Sequence, residues 1–251
     1  MERSAVSSRF LSAYIYGLFV FWMVLALILA GSFALPVWIL RGDPRWAFQV
    51  VVRFFWRLFL RTSPVIGRIT IRNRHNLNTH TPAIYVASHQ SSIDFVLLGS
   101  MIENFATISN HPISDLPIFL KIPRLVGVFY MEKQNPNAAI AVFNRLSNAL
   151  KNDINVFIFP EGTRNFSDTL LPFQKGAFRL SLEAGLPIIP VIIDGTGKIV
   201  TKGSNVAKTL TRTDIDVTFL DPVYPGEDDN VRSLMRRVRE TMQTEVTKSF
   251  S

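Results

Sequence analysis

Ser88-His89-Gln90-Ser91-Ser92-Ile93-Asp94 is the stretch whose residue types and spacing could do chemistry. It lies between a short apolar run, 83–87, and a second apolar segment, 95–98. The first run, bounded by Pro82, reads as a buried strand and the second as the start of a helix. A histidine therefore sits where a strand ends, with a carboxylate five positions later. On a continuous helix, five residues at about 100° each put two side chains roughly 140° apart. His89 and Asp94 thus meet only if His89 lies in the turn and Asp94 folds back from the first helical turn. In that geometry the carboxylate accepts a hydrogen bond from one ring nitrogen, fixes the tautomer and raises the basicity of the other, as a general base requires. Such a base can activate a hydroxyl on a substrate with no serine as nucleophile. The same residues also read as a capping box, Ser91-x-x-Asp94, with Asp94 near the positive end of the helix. Spacing alone leaves both readings open.

A second cluster follows another apolar run. Val156-Phe157-Ile158-Phe159 reads as a central parallel strand covered on both sides, and Pro160-Glu161-Gly162-Thr163-Arg164 comes directly after it. In α/β sheets, ligands bind beyond the carboxyl ends of the strands. His89 and the Glu161–Arg164 turn both fall at that edge. Gly162 lets the backbone turn sharply and approach a ligand, and Arg164 offers a planar fork of donors that fits a phosphate. Lys133 and Lys175 could add further cations. The competing reading for Arg164 is a salt bridge with Glu161 or Asp168, and for the two lysines simple solvation.

The elements needed to position these residues can be read in order. The chain has 251 residues, enough for one sizeable α/β domain with an appendage. It has no cysteine, which excludes disulfides, cysteine-type zinc sites and thiol nucleophiles. Its four histidines (His75, His80, His89, His111) lack HExxH spacing, so no metal site is expected. A net charge of +8 and a pI of about 10.0 suit nucleic acid, an anionic membrane surface or a polyanionic substrate. Mean hydropathy is +0.22, and the apolar excess sits at the amino-terminal end.

Residues 10–40 contain no charge, long enough to span a bilayer. A signal peptide fits poorly, because the apolar core is too long and no clear small-residue cleavage site follows it. The reading is a membrane helix over about 12–33, with Pro36 marking its exit; a re-entrant segment is the alternative. Next, Arg45, Gln49, Arg53, Arg57 and Arg61 recur every fourth residue among aromatic and aliphatic neighbours. This predicts an interfacial amphipathic helix over about 45–61, with arginines toward phosphates and aromatics among acyl chains, against the alternative of a buried core helix. Only Arg3 and Arg9 precede the apolar run, so the positive-inside rule puts the large domain in the cytoplasm. The division expected is a membrane-anchoring segment, 1–62, and a catalytic domain, 63–251.

Within 63–251 the pattern predicts strands at 68–72, 83–87, 106–109, 128–131, 156–159, 188–193 and 215–220, the last more like an edge strand. Helices are expected at 93–102, at 118–122, from Pro136 to 151 with Ile140, Phe143, Leu146 and Leu150 inward, at 176–184 before Gly185, and at 228–248 with Val231, Leu234, Val238 and Met242 inward. The fold class is α/β: a mixed, mainly parallel sheet flanked by helices, preceded by the membrane helix and the interfacial helix.

The two clusters together carry a specific likeness. Ser88-His89-Gln90-Ser91-Ser92-Ile93-Asp94 resembles the H-x4-D motif of the glycerolipid acyltransferases, in particular the 1-acyl-glycerol-3-phosphate acyltransferases. Phe159-Pro160-Glu161-Gly162-Thr163-Arg164 resembles that family's F-P-E-G-T-R motif. Phe173-x-Lys175-Gly176 and Leu186-Pro187-Ile188-Ile189-Pro190-Val191 resemble its third and fourth blocks, and Pro117, Gly127 and the strand leading to Lys133 keep the rhythm of an intermediate one. The likeness runs from about 84 to 191. It departs at His111-Pro112-Ile113, where similar enzymes carry Lys-Glu-Leu, and at Lys133, which replaces an arginine and is a point charge rather than a fork.

The resemblance implies acyl transfer from a thioester to the sn-2 hydroxyl of a lysophosphatidate. His89 would be the base and Asp94 its orienting carboxylate. Glu161, Gly162, Thr163 and Arg164, with Lys133 and Lys175, would hold the phosphate and glycerol. No cofactor or metal is implied; coenzyme A or acyl-carrier protein would carry the acyl chain as co-substrate. The expected partners are membrane lipids, the lysophosphatidate acceptor and the thioester donor, with acyl-carrier protein as one candidate carrier. Two other readings are an acyltransferase for another lysolipid, with a headgroup or an ornithine, and a non-catalytic membrane-binding protein. Nucleic acid is not expected as a partner, since basic residues and exposed aromatics do not cluster outside the membrane segment.

Overall fold

The chain alternates apolar β-rich runs with amphipathic helical runs, and among the described residues the computed structural model realises this as a seven-stranded sheet with helices. It describes residues 2–41, 45–109, 126–132, 135–165, 167, 169–199 and 212–250. The strands are β1 (Ile66–Arg72), β2 (Ile84–Ala87), β3 (Phe105–Ser109), β4 (Val128–Tyr130), β5 (Asn155–Ile158), β6 (Ile188–Asp194) and β7 (Thr213–Phe219). The helices are α1 (Glu2–Arg41), α2 (Arg45–Thr62), α3 (Ile93–Met101), α4 (Pro136–Lys151), α5 (Gly176–Ala184) and α6 (Val231–Phe250). Strand order is β1-β7-β6-β2-β5-β3-β4. β2 pairs parallel with β5 and β6, and β3 pairs parallel with β4 and β5. Parallel neighbours need a crossover connection, which the intervening helices supply. The alternation of β7 suggests an edge strand, but β7 lies between β1 and β6. Alternation marks one half-exposed face, which an inner strand can also carry. The expected helix at 118–122, the His111–Ile113 departure and Lys133 lie outside the described residues.

Two compact units divide the described chain, and they interleave in sequence. The first takes 1–72, 90–101 and 193–217, and the second takes 73–89, 102–192 and 218–251.

In the first unit, α1 holds a 23-residue stretch, Phe10–Ser32, long and apolar enough to cross a membrane, with 11% of it buried. α1 continues past Pro36, which the sequence suggests as its exit. α2 covers the predicted 45–61 and packs its aromatics on α1: Phe59 lies edge-on to Phe19, and Phe55 lies against Trp22. Trp46, Val50 and Phe54, one helical turn apart, stay exposed. The polar stripe, however, does not all turn toward phosphates. Gln49 and Arg53 are buried, Arg53 Nη2 donates to Met101 O (3.3 Å), and Arg57 Nε donates to Ser100 O (2.9 Å). The last carbonyls of α3 have no partner within their own helix and carry its negative end, so two guanidinium groups serve them.

In the second unit, β2, β5 and β6 are covered on one face by α4, α5 and α6. Ile84, Val86, Val156, Ile158 and Ile188 pack with Leu146, Phe178, Leu234, Val238 and Met242. α4 starts as predicted, with Asn135 Oδ1 accepting from Asn137 and Ala138 amides and Pro136 in the first turn. Its inward face is Val142, Leu146, Ala149 and Leu150, so the expected Ile140 is instead 60% exposed. α6 begins at Val231 rather than 228, because Asn230 Oδ1 accepts the amides of Arg232 and Ser233 and so caps it.

Candidate active site

Adjacent parallel strands end at the same edge of a sheet. β2 and β5 are such neighbours, with Val86 opposite Ile158, so the residues just beyond them meet. His89 and Phe159 do: their rings stack at 4.1 Å between centroids and 20° between planes. Ser88 N donates to Val191 O (3.0 Å), holding the end of β2 to β6 as the chain leaves the sheet. His89 is half-buried, its carbonyl accepting from Asn165 N (2.7 Å).

The turn after β5 is closed by Gly162 N donating to Phe159 O (3.1 Å), with Gly162 at φ +63°, a conformation that favours glycine. Glu161 is 6% exposed, and its Oε2 accepts from Asn165 Nδ2 and from Leu171 N, each at 2.9 Å. Burial pushes its carboxyl above the ordinary range, opposed by the Leu171 amide, the Asn165 side chain, and the amide and ring of His89. Thr163 is exposed. Arg164 is half-buried, and its Nη1 is wholly buried with no hydrogen-bond partner among the described residues. The Glu161 carboxylate is thus held by amides, and a buried guanidinium donor three residues later has no acceptor among the described residues. Gln174 N donates to Pro160 O (2.7 Å), which draws the start of α5 to this turn and with it the exposed Lys175. The second unit therefore gathers His89, Glu161, Gly162, Thr163, Arg164 and Lys175 along one sheet edge.

Asp94 belongs to the first unit and is 0% exposed. Its Oδ2 accepts from Gln90 N (2.6 Å) and Ser91 N (2.7 Å), and Ser91 Oγ accepts from Ile93 N (3.4 Å). The capping reading is therefore realised, with the carboxylate reaching back to two amides. Asp94 also does more than cap: its Oδ1 accepts from Thr196 Oγ1 (2.5 Å), a residue of the turn beyond β6. The two amides it holds are those that directly follow His89.

The motifs do not single out Phe159 as a ring partner, Asn165 as the link between His89 and Glu161, or Thr196. Their signals are present but weak. Phe159 and Asn165 flank the Pro160–Arg164 turn, and Gly195-Thr196-Gly197 follows a buried strand at the ligand-binding edge. Among the described residues, no group of three or more His, Asp or Glu is placed to hold a metal ion.

A parallel-centred α/β sheet with a histidine and a Glu-Gly-Thr-Arg turn at its carboxyl edge defines a class, and comparison names it. Residues 68–194 match the family model described as Acyltransferase, and the chain belongs to that family. A chloroplastic 1-acyl-sn-glycerol-3-phosphate acyltransferase of Brassica napus is 33% identical over 160 residues, 63% of this chain and 46% of that one. The sheep 1-acyl-sn-glycerol-3-phosphate acyltransferase alpha is 32% identical over 188 residues, 70% of this chain and 62% of that one. The Salmonella typhimurium 1-acyl-sn-glycerol-3-phosphate acyltransferase is 29% identical over 202 residues, 78% of this chain and 80% of that one. The chain thus spans about half the length of the plant relatives and most of the bacterial one. The crystal structure of the 1-acyl-sn-glycerophosphate acyltransferase from Thermotoga maritima shares the fold, with a TM-score of 0.77 over 97% of each chain at 22% identity.

Proposed function

We propose that the protein transfers an acyl chain from a thioester to the sn-2 hydroxyl of 1-acyl-glycerol-3-phosphate, giving phosphatidic acid. The observation that carries this reading is the buried Nη1 of Arg164, which has no hydrogen-bond partner among the described residues, in the turn whose Asn165 bonds the His89 carbonyl. A guanidinium donor so placed suits a phosphate oxygen, and its turn is tied through Asn165 to a histidine rather than to a serine nucleophile. The names of the relatives support the same substrate.

In this mechanism the His89 imidazole takes the proton of the sn-2 hydroxyl as its oxygen attacks the thioester carbonyl. The tetrahedral intermediate collapses with cleavage of the carbon–sulfur bond, and the imidazolium returns the proton to the leaving thiolate. Asp94 orients His89 and stabilises the imidazolium, and it holds the backbone amides that follow the histidine. Glu161, Gly162, Thr163 and Arg164 hold phosphate and glycerol, with Lys175 and Lys133 as further cations. Proton transfer is handled by His89, so no step draws on a metal or cofactor. The thiol carrier is coenzyme A or acyl-carrier protein. The apolar α1 and the exposed Trp46, Val50 and Phe54 of α2 support a membrane location, and the charge asymmetry about α1 supports a catalytic domain on the cytoplasmic side.

Thiol release by the detergent-purified full chain, given oleoyl-coenzyme A and 1-oleoyl-glycerol-3-phosphate, tests the reading. Acceptor-dependent release that His89→Ala abolishes is expected. Release only with a different lysolipid would move the acceptor, and silence across acceptors and both carriers would overturn the enzymatic reading.

A further inference from the structure

We infer that Thr196 is a positioning residue that fixes the plane of the Asp94 carboxylate. Thr196 and Asp94 are both 0% exposed, and the hydroxyl donates its one proton to Asp94 Oδ1 at 2.5 Å. The amides of Gln90 and Ser91 hold the other oxygen, Oδ2. The terminal torsion of an aspartate is broad, so donors on one oxygen locate the group without setting its plane. A donor on the second oxygen, from a residue 102 positions away, sets it.

The turn that presents Thr196 is itself pinned. Gly195 lies at φ +97°, and a Cβ there would stand 2.2 Å from the Asp214 carbonyl oxygen, so only glycine lets the turn sit against β7. Gly195 N donates to the Asp194 side chain (2.8 Å), and Gly197 N donates to Gln90 Oε1 (3.2 Å). The same three-residue turn therefore grips both the Asp94 carboxylate and the side chain of the residue after His89. This inference rests on the proposed reading of Asp94 as the carboxylate that orients the general base. It adds that the turn after β6 sets the plane of that carboxylate.

The experiment measures kcat and KM for thiol release by the full chain with Thr196→Ser, Thr196→Cys and Thr196→Val, each with its melting temperature. Serine keeps the donor, a thiol donates weakly, and valine has the shape without the donor. Serine is expected within a few-fold of wild type, cysteine between, and valine down roughly 10- to 100-fold in kcat with KM unchanged, since misplacing a catalytic group costs on that order. In an Asp94→Ala background the valine substitution is expected to add no further loss, because Thr196 acts through that carboxylate. Equal activity in all three variants, equal damage by serine and valine, or full additivity with Asp94→Ala would overturn the assignment. The serine–cysteine comparison decides it even if the valine variant does not fold. A wild type that releases no thiol would instead overturn the acyltransferase reading, and the catalytic role of Thr196 with it.

Discussion

Gly99→Ala sets two effects of opposite sign against each other. Alanine in place of glycine inside a helix favours folding by about 1 kcal/mol. At this position, however, the new Cβ would stand 2.3 Å from Trp56 Cζ3 and 3.0 and 3.2 Å from two further ring atoms. Carbon–carbon contacts relax near about 3.5 Å, so α2 and α3 must part by roughly 1 Å or the indole must leave its rotamer. Trp56 is 4% exposed and its ring packs edge-on against Phe95, leaving it little room to turn. Parting the helices would also stretch the bonds from Arg57 to Ser100 O and from Arg53 to Met101 O, the residues directly after Gly99. Overpacking costs about 1–3 kcal/mol, and weakening a charged hydrogen bond about 1 kcal/mol more. The net expectation is a loss of about 2 kcal/mol. For a chain of this size that lowers the melting temperature by roughly 4–8 °C. Thermal unfolding in detergent measures it, with Trp56→Phe added to open space and recover part of the loss. A melting temperature for Gly99→Ala at or above wild type would mean that helix propensity wins and refute the close packing of α2 on α3.

Glu161→Gln tests the buried carboxyl by pH. Because the folded pKa is raised, the native state holds the proton more readily than the unfolded chain. The group's contribution is full below the ordinary carboxylate range and is lost as pH rises through the raised value. Relative to wild type, the glutamine variant should therefore gain stability on going from about pH 4 to about pH 7 in parallel melting curves; a constant offset between the two would contradict the shift. Asn165→Ala removes the donors to Glu161 Oε2 and Thr169 O while leaving the backbone bond to His89. It should cost about 1–3 kcal/mol in denaturant titration, and Asn165→Asp more, since a carboxylate would face Glu161. Neutral behaviour of both would remove Asn165 from the network.

Elements built from local periodicity are legible in the chain itself. The runs at 83–87 and 156–159 form β2 and β5, the Asn135-Pro136 signal opens α4, and the apolar stretch near the amino terminus forms α1. Motif residues at strand ends are legible for the same reason, because a strand end at a parallel edge is a fixed place. The α2 stripe shows where periodicity stops: a step of four marks one face of a helix but not what covers that face. The buried Arg53 and its neighbour Arg57 answer α3 carbonyls, which only packing could reveal.

Sequence alone, then, determined the alternation of strands and helices, the apolar amino-terminal helix, and the residues His89, Asp94 and Glu161–Arg164 as the ones to watch. These follow from side-chain type and short-range spacing, which act over a few residues. Tertiary structure decided what each of them touches. It stacked His89 on Phe159, set the Glu161 carboxylate among the Asn165 and Leu171 donors, left Arg164 Nη1 buried with no partner among the described residues, and brought Thr196 to Asp94. Those partners lie up to 102 positions apart, and no local pattern encodes a hydrogen bond across that distance. Strand order does, because it fixes which turns share an edge of the sheet.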